Sequence, residues 1–469
     1  MNPQLKKIYQ ILTPFPAWVA IITFCLISAL MGIVGVGKVA NILFPAGAVS
    51  VGLFLYSRYP VMYVGFTWWI WFLAPFMRRL VDFRSGFSDP SLILLTPYLV
   101  TLLSVLTFFK LIPQAVQIGA EPFVLSAAAT IYAYLVALNK SSYVAASIGM
   151  LDWFTPIIFG FYVFSQWRHY PEYRKNTESV FFWCVLITGA YGVYQYFVAP
   201  GWDTFWLTNT ELVSAGKPAP FELRVWSTMH GPGVFANVMA AGLIVIMSTT
   251  SPLSLPANAV GFLSLLVSLV RSAWLGWFVG CLSLVSFLKP RLQMRLVALG
   301  LVTALLVIPL TALDSFSGVI SSRLESLTNL KQDASASDRQ NAYQDFLENG
   351  LTNVVGNGIA AGGIFDSAII DSLNSLGWIG TLSYWAGVVG LYARMLFGSN
   401  KGHDSFTATT RAVCLGAAIQ LIGGSVMLGL PGVVMWGFLG LAAAAHKFYQ
   451  TANRSLPTSS AMIPRRLTS

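Results

Sequence analysis

Apolar runs of about 17 to 25 residues, the length that crosses a bilayer core as a helix, recur along this chain to its end. Two polar stretches interrupt them, roughly 199–229 and 314–372. A helix satisfies its own backbone hydrogen bonds where no water reaches, so the pattern predicts an all-α, polytopic transmembrane bundle. Short alternating strands of the kind a membrane barrel needs are not visible. Spans are expected near 17–37, 40–57, 60–77, 91–109, 123–139, 143–164, 178–198, 230–248, 254–270, 272–288, 295–313, 373–394, 409–429 and 431–447, about 12 to 14 in all. The second, with Pro45 and Gly47 inside it, and the pair meeting at Arg271 are the most open to being broken or re-entrant. The chain then divides into N-terminal helices over 1–198, central helices over 199–313 that begin with the first polar loop, a large loop over 314–372 carrying short amphipathic helices, C-terminal helices over 373–448 and a tail over 449–469.

Only 10% of the 469 residues are charged, against about 25% in an average soluble protein, so where the charges lie carries most of the information. Lys6, Lys7, the Arg168–Lys175 cluster, Lys289 to Arg295, the loop from Arg394 to Arg411 and the tail with Arg465 and Arg466 fall on one side of the alternating spans. The positive-inside rule makes that side cytoplasmic, with both termini inside. Both polar loops and Arg271 then lie outside. Arg78, Arg79 and Arg84 also fall outside and break the rule: either the first spans are misassigned, the readier explanation, or these arginines bind something anionic. The net charge of +10 is accounted for by anchoring to anionic membrane lipid and makes no case for nucleic acid.

Cys25, Cys184, Cys281 and Cys414 all sit in apolar runs without metal-ligand spacing, and read as small buried hydrophobes. The first apolar run is too long for a cleavable signal peptide and another follows at once. No soluble domain, internal repeat or Gly-rich phosphate loop is visible.

Candidate chemistry lies in the loops and where they meet the spans. In the stretch from Phe221 to Asn237 the chain enters a helix at about Pro232, a first-turn residue. Arg224 and His230 precede it at the membrane surface. A guanidinium there can hold phosphate oxygens in two-pronged fashion; the structural alternative is that Arg224 snorkels and His230 caps the helix. Arg271 stands between two apolar runs with almost no loop around it, and an unpaired arginine at that depth costs at least a few kcal/mol, so it should face a polar cavity or an anion. In the second loop, Ser335 to Ser337 can cap a short surface helix over 338–349 that carries Arg339. Gly356-Asn357-Gly358 and Gly362-Gly363 allow a tight backbone path, and Asp366 and Asp371 follow at the start of the next span. Each aspartate reads either as a helix N-terminal charge or as a general base.

These blocks in this order, Arg224-x-x-Ser-Thr-x-His-Gly-Pro-Gly-x-Phe-Ala-Asn237, Arg271-Ser-Ala-Trp-Leu-Gly276, and Ser335-x-x-x-Arg339 with Gly356-Asn-Gly358, Asp366-Ser367 and Leu376-Gly-Trp-Ile-Gly380, resemble the bacterial O-antigen polymerase and O-antigen ligase superfamily over about residues 220–385. The resemblance implies a membrane glycosyltransferase that uses an undecaprenyl-diphosphate-linked glycan. It further implies that Arg224, Arg271 and Arg339 contact the diphosphate and its sugar, and that a large-loop residue helps activate the acceptor hydroxyl. Family members commonly carry His-Asn about eleven residues before the glycine of the Leu-Gly-x-x-Gly block; here Asp366-Ser367 stands there. A carboxylate can accept a proton as imidazole does, so Asp366 or His230 would take the acceptor proton, with Asp371 further from the reacting atoms.

The expectation is therefore an exopolysaccharide or O-antigen polymerase in a bacterial inner membrane. It would work at the periplasmic face without cofactor or metal, beside a flippase and a chain-length regulator. A ligase of the same superfamily is the nearest alternative. A transporter is the alternative of another class, but the polar residues cluster in loops and not at mid-bilayer.

Overall fold

The computed structural model describes residues 15–35, 37–210, 212–249, 251–287, 293–294, 344, 353–360, 367–398 and 404–454. The described helices of the N-terminal half are α1 Phe15–Val34, α2 Ala40–Arg58, α3 Pro60–Ser85, α4 Thr96–Leu102, α5 Val105–Leu111, α6 Ala115–Ile118, α7 Glu121–Lys140, α8 Tyr143–Ser165 and α9 Tyr170–Val198. Those that follow are α10 Gly201–Thr210, α11 Pro232–Met247, α12 Ser254–Val267, α13 Arg271–Phe287, α14 Ala368–Phe397, α15 Ser405–Gln420 and α16 Gly429–Arg454. The protein is an all-α polytopic bundle. Eight stretches among the described residues are long and apolar enough to cross a membrane: α1, α2, α3, the broken stretch Leu92–Ile118 holding α4 to α6, α7, α8, α9 and α16. The expected span at 295–313 and, apart from residue 344, the short helix expected over 338–349 lie outside the described residues.

Breaks fall where backbone chemistry permits them. α2 runs through Pro45 without interruption, contrary to the expected weak point. The break is instead at Gly377 in α14, with φ 63° and ψ −175°, a conformation open mainly to glycine. Opening the helix there frees carbonyls that need partners in a membrane, and the Gly356-Asn357-Gly358 segment supplies them. Asn357 N and Gly358 N donate to Asn374 O at 2.8 Å and Ser375 O at 2.9 Å. Asn353, Asn357 and Asn374 form a side-chain ladder at 2.9 Å per step. A Cβ on Gly356 would come within 2.4 Å of Gly377 N, so the two backbones approach as only two glycines allow.

The interior is built on small residues and rings. α8 and α16 pack through a close seam: a Cβ at Gly440 would lie 2.3 Å from Gly160 O, and such small-residue contacts let helices pack closely where lipid offers no hydrophobic drive. Trp68 of α3 meets Phe159 edge-on at 4.9 Å and Phe181 at 5.2 Å. Cys184 and Cys414 are buried hydrophobes as expected, but Cys25 is exposed on the outer surface of α1.

Loop contacts sort into two ends, as the alternating spans predict. One end gathers Gly35 against Arg84, Lys140 with Gly356 O, the first polar loop against the turn after α12, and Asp371 with Ser425. The opposite end gathers Arg394 with Glu121, Lys447 with Ile118 O and a hub at Asp404. That carboxylate caps α15 through Thr407 N at 2.9 Å and also binds Arg174 at 2.7 Å and Tyr449 at 3.0 Å, so it ties α9, α15 and α16 together. Asp404→Ala removes a cap and a charge-assisted bond, worth about 2 kcal/mol together. A melting temperature in detergent lowered by several degrees is the expected result; an unchanged one would show the hub to be dispensable.

Candidate functional site

The end that holds the first polar loop is built on helices of unequal length. α9 has 29 residues, about 44 Å, while α11 and α12 beside it have 16 and 14, about 24 and 21 Å. Residues 199–231 descend into the space above the short helices. Val225 N donates to Val267 O at 3.2 Å and Phe221 N to Tyr196 O at 2.9 Å. Arg224 gives Nε to Ser268 O at 3.1 Å, Nη2 to Leu269 O at 3.2 Å and Nη1 to Ser214 O at 2.9 Å. Arg224 is thus the cationic cap of α12, placed where the negative end of that helix attracts it. It does not simply snorkel.

α11 starts at Pro232 as the sequence indicates, but its N-cap is Gly231 with no side-chain hydrogen bond, so His230 does not cap it. His230 keeps part of its surface exposed, while its ring packs against the Trp206 ring at 5.8 Å, nearly edge-on. Burial, together with the charges of Arg78 and Arg79, lowers its pKa from the ordinary 6.5. The imidazole is therefore neutral at neutral pH and able to accept a proton. A Cβ at Gly231 or Gly233 would meet nothing within 4 Å, so among the described residues open space adjoins the first turn of α11.

Arg78 and Arg79 are correctly placed at this end by the alternating spans, which overturns the readier explanation that the first spans are misassigned. What they bind is the protein's own carboxylates. Arg78 pairs with Asp82 at 3.1 Å and donates to Ser88 O at 2.8 Å. Arg79, 1% exposed, stands 3.2 Å from Asp203 and donates to Ser227 O at 2.5 Å. The other Asp203 oxygen accepts from Tyr191 and from Gln195, each at 2.7 Å. Gln195 Oε1 in turn accepts from Trp226 N at 3.1 Å and Ser227 N at 2.8 Å.

Arg271 is the first residue of α13, a position where the helix dipole favours an anion over a cation. It follows the turn that Arg224 holds. On its other side, a Cβ on Gly423 would lie 3.4 Å from the Ser272 side chain, which places the 421–428 loop beside the start of α13. Ser425 in that loop donates to Asp371 at 2.6 Å, and Ser375 donates to the other carboxylate oxygen at 3.3 Å. Asp371 lies in the first turn of α14, where a negative charge suits the dipole. Contacts therefore run from the first loop through the α12–α13 turn to Asp371. Arg339 and Asp366 lie outside the described residues.

All four non-glycine residues with positive φ among the described residues, Ala199, Phe221, Ser227 and Leu269, lie in the first loop or in the turn it grips. Strained backbone of this kind persists where surrounding bonds over-determine it, and it clusters at functional sites. Residue types alone did not mark Asp203, Gln195, Ser227 or Ser425; for Arg79 the broken positive-inside rule was the signal. Among the described residues no three His, Cys, Asp or Glu side chains gather as a metal site.

Fold and end-to-end loop pairing define a multi-pass helical membrane protein. No protein-family model and no curated protein sequence matches the chain.

Proposed function

We propose that this chain is a polysaccharide polymerase of a bacterial inner membrane, acting at the periplasmic face. It transfers a growing glycan from undecaprenyl diphosphate to a lipid-linked repeat unit. The observation that carries the reading is the gathering at one end of the bundle of Arg224 and His230 from the first loop, Arg271 from the start of α13 and Asp371 from the start of α14. In the reaction the acceptor hydroxyl oxygen bonds to the anomeric carbon while the bond from that carbon to the diphosphate oxygen breaks. Undecaprenyl diphosphate leaves with the electron pair, and the proton passes to His230 or Asp366. Arg271 and Arg339 take up the diphosphate charge, with Arg224 alongside.

Two further features support a lipid-linked donor. The open space at the start of α11 can admit phosphate oxygens to the positive end of a helix. A groove of about 340 Å³ between α14 and α15, lined by apolar side chains from Ile369 to Phe397, suits a hydrocarbon chain. Its Ile369 end lies two residues from Asp371.

Deletion of the gene followed by analysis of lipid-linked glycans tests the reading. Accumulation of single repeat units on undecaprenyl diphosphate is expected. Long chains stranded on that carrier would instead indicate a ligase, and an unchanged glycan profile would remove the chain from polysaccharide assembly.

A further inference from the structure

We infer that the buried Arg79–Asp203 pair is a positioning device for His230, holding the turn that presents it to the reacting atoms. This rests on the proposed transfer reaction. The two side chains are 1% and 0% exposed, and they stand on α3 and α10, outside the first-loop turn they contact. Arg79 bonds the carbonyl of Ser227, while Asp203 orients Gln195, whose oxygen takes the amides of Trp226 and Ser227. Ser227 Oγ donates to Thr188 O at 2.6 Å. Thus the N–H, C=O and hydroxyl of one residue are all fixed from α3 and α9, and that residue has φ 51°.

A serine leaves the left-handed region unless its surroundings hold it there. His230 follows three residues later, flanked by Trp206. That ring and the ring of Trp226 also lie over the Arg79 guanidinium, each at 5.9 Å. A shift of Arg79 therefore reaches His230 by two routes, through the backbone of the turn and through the indole against the imidazole. The Arg224 guanidinium donates to other carbonyls, those of Ser214, Ser268 and Leu269. Loss of the pair should then disturb proton acceptance while leaving donor binding largely intact.

An arginine at the outer end of a span also runs against the usual charge distribution, and nothing in the packing of α3 alone requires it. A well-packed apolar pair in the same place is commonly as stable as a buried ion pair. What an apolar pair lacks is a donor for the Ser227 carbonyl and an acceptor to orient Gln195.

The test uses the full chain in lipid vesicles and the double variant Arg79→Met with Asp203→Leu, which removes both buried charges and so avoids stranding one. Thr228→Cys, at a site 3% exposed, reports the turn through its rate of reaction with a membrane-impermeant maleimide; the chain without that cysteine is the blank. The substrate is undecaprenyl-diphosphate-linked repeat units isolated from cells lacking this chain. In the double variant, labelling should quicken about 10-fold or more and kcat fall about 100-fold, with KM for the donor within about 3-fold of wild type. Arg79→Lys, which keeps one donor and the charge, should recover part of kcat. Unchanged labelling in the folded double variant, or a raised KM with kcat intact, would overturn the inference. If wild type itself shows no transfer, the function is wrong, and the labelling rate still decides whether the pair holds the turn.

Discussion

Arg271→Ala should abolish polymer while the protein still inserts and accumulates. The arginine opens α13, a position where the helix dipole favours an anion over a cation, and in the proposed reaction that anion is the diphosphate. Loss of a preorganised charge at a departing diphosphate costs about 10²–10³ in rate. Arg271→Lys should recover little, because an ammonium cannot reproduce a two-pronged grip on phosphate. The measurement is polymer length and amount from membranes with matched protein levels, and normal polymer from the alanine variant would remove Arg271 from the site. Arg224→Ala should differ in kind. With two carbonyls at the α12 terminus and one in the first loop losing their donor, it should lower both activity and the yield of folded protein.

A comparably large effect is expected at the proton acceptor, where Asp366→Asn and His230→Gln each keep shape and hydrogen bonding but lose basicity. Replacement of the true base should leave single lipid-linked repeat units where wild type makes chains. pH separates the two. The His230 pKa lies below the ordinary 6.5, lowered by burial and by Arg78 and Arg79, so the ring gains its proton only in more acid solution. If His230 is the base, the rate should be flat well above the lowered pKa and fall as pH drops through it. His230→Gln should then lose both the rate and that acid limb, while Asp366→Asn keeps the limb in place. Long polymer from both variants would exclude both residues as the base.

The glycine block was legible as a tight path but not as the plug of a broken helix, because Gly356 and Gly377 make sense only together: each occupies the space a Cβ on the other would need. Pro45 misled for the opposite reason. A proline inside a membrane helix forfeits one backbone bond, and α2 keeps its course past it.

What the sequence by itself determined is the class and much of the layout: an all-α polytopic chain, with helices such as α7 and α8 in the expected places and α11 opening at Pro232, while α3 runs to Ser85, past the expected end at 77. Hydrophobic length and helix-start chemistry are local properties, written in adjacent residues. Only the tertiary structure decided which polar groups meet. Arg79 finds Ser227 from 148 positions away and Asp371 finds Ser425 across 54, and no local spacing encodes either pairing. The first loop packs along the last turns of α9, beside the shorter α12, and so sets its arginine on the carbonyls of Ser268 and Leu269. A cation at a membrane surface is ambiguous in sequence because lipid, protein carbonyl and substrate phosphate all satisfy it; the fold chose among them by placing the nearest acceptor.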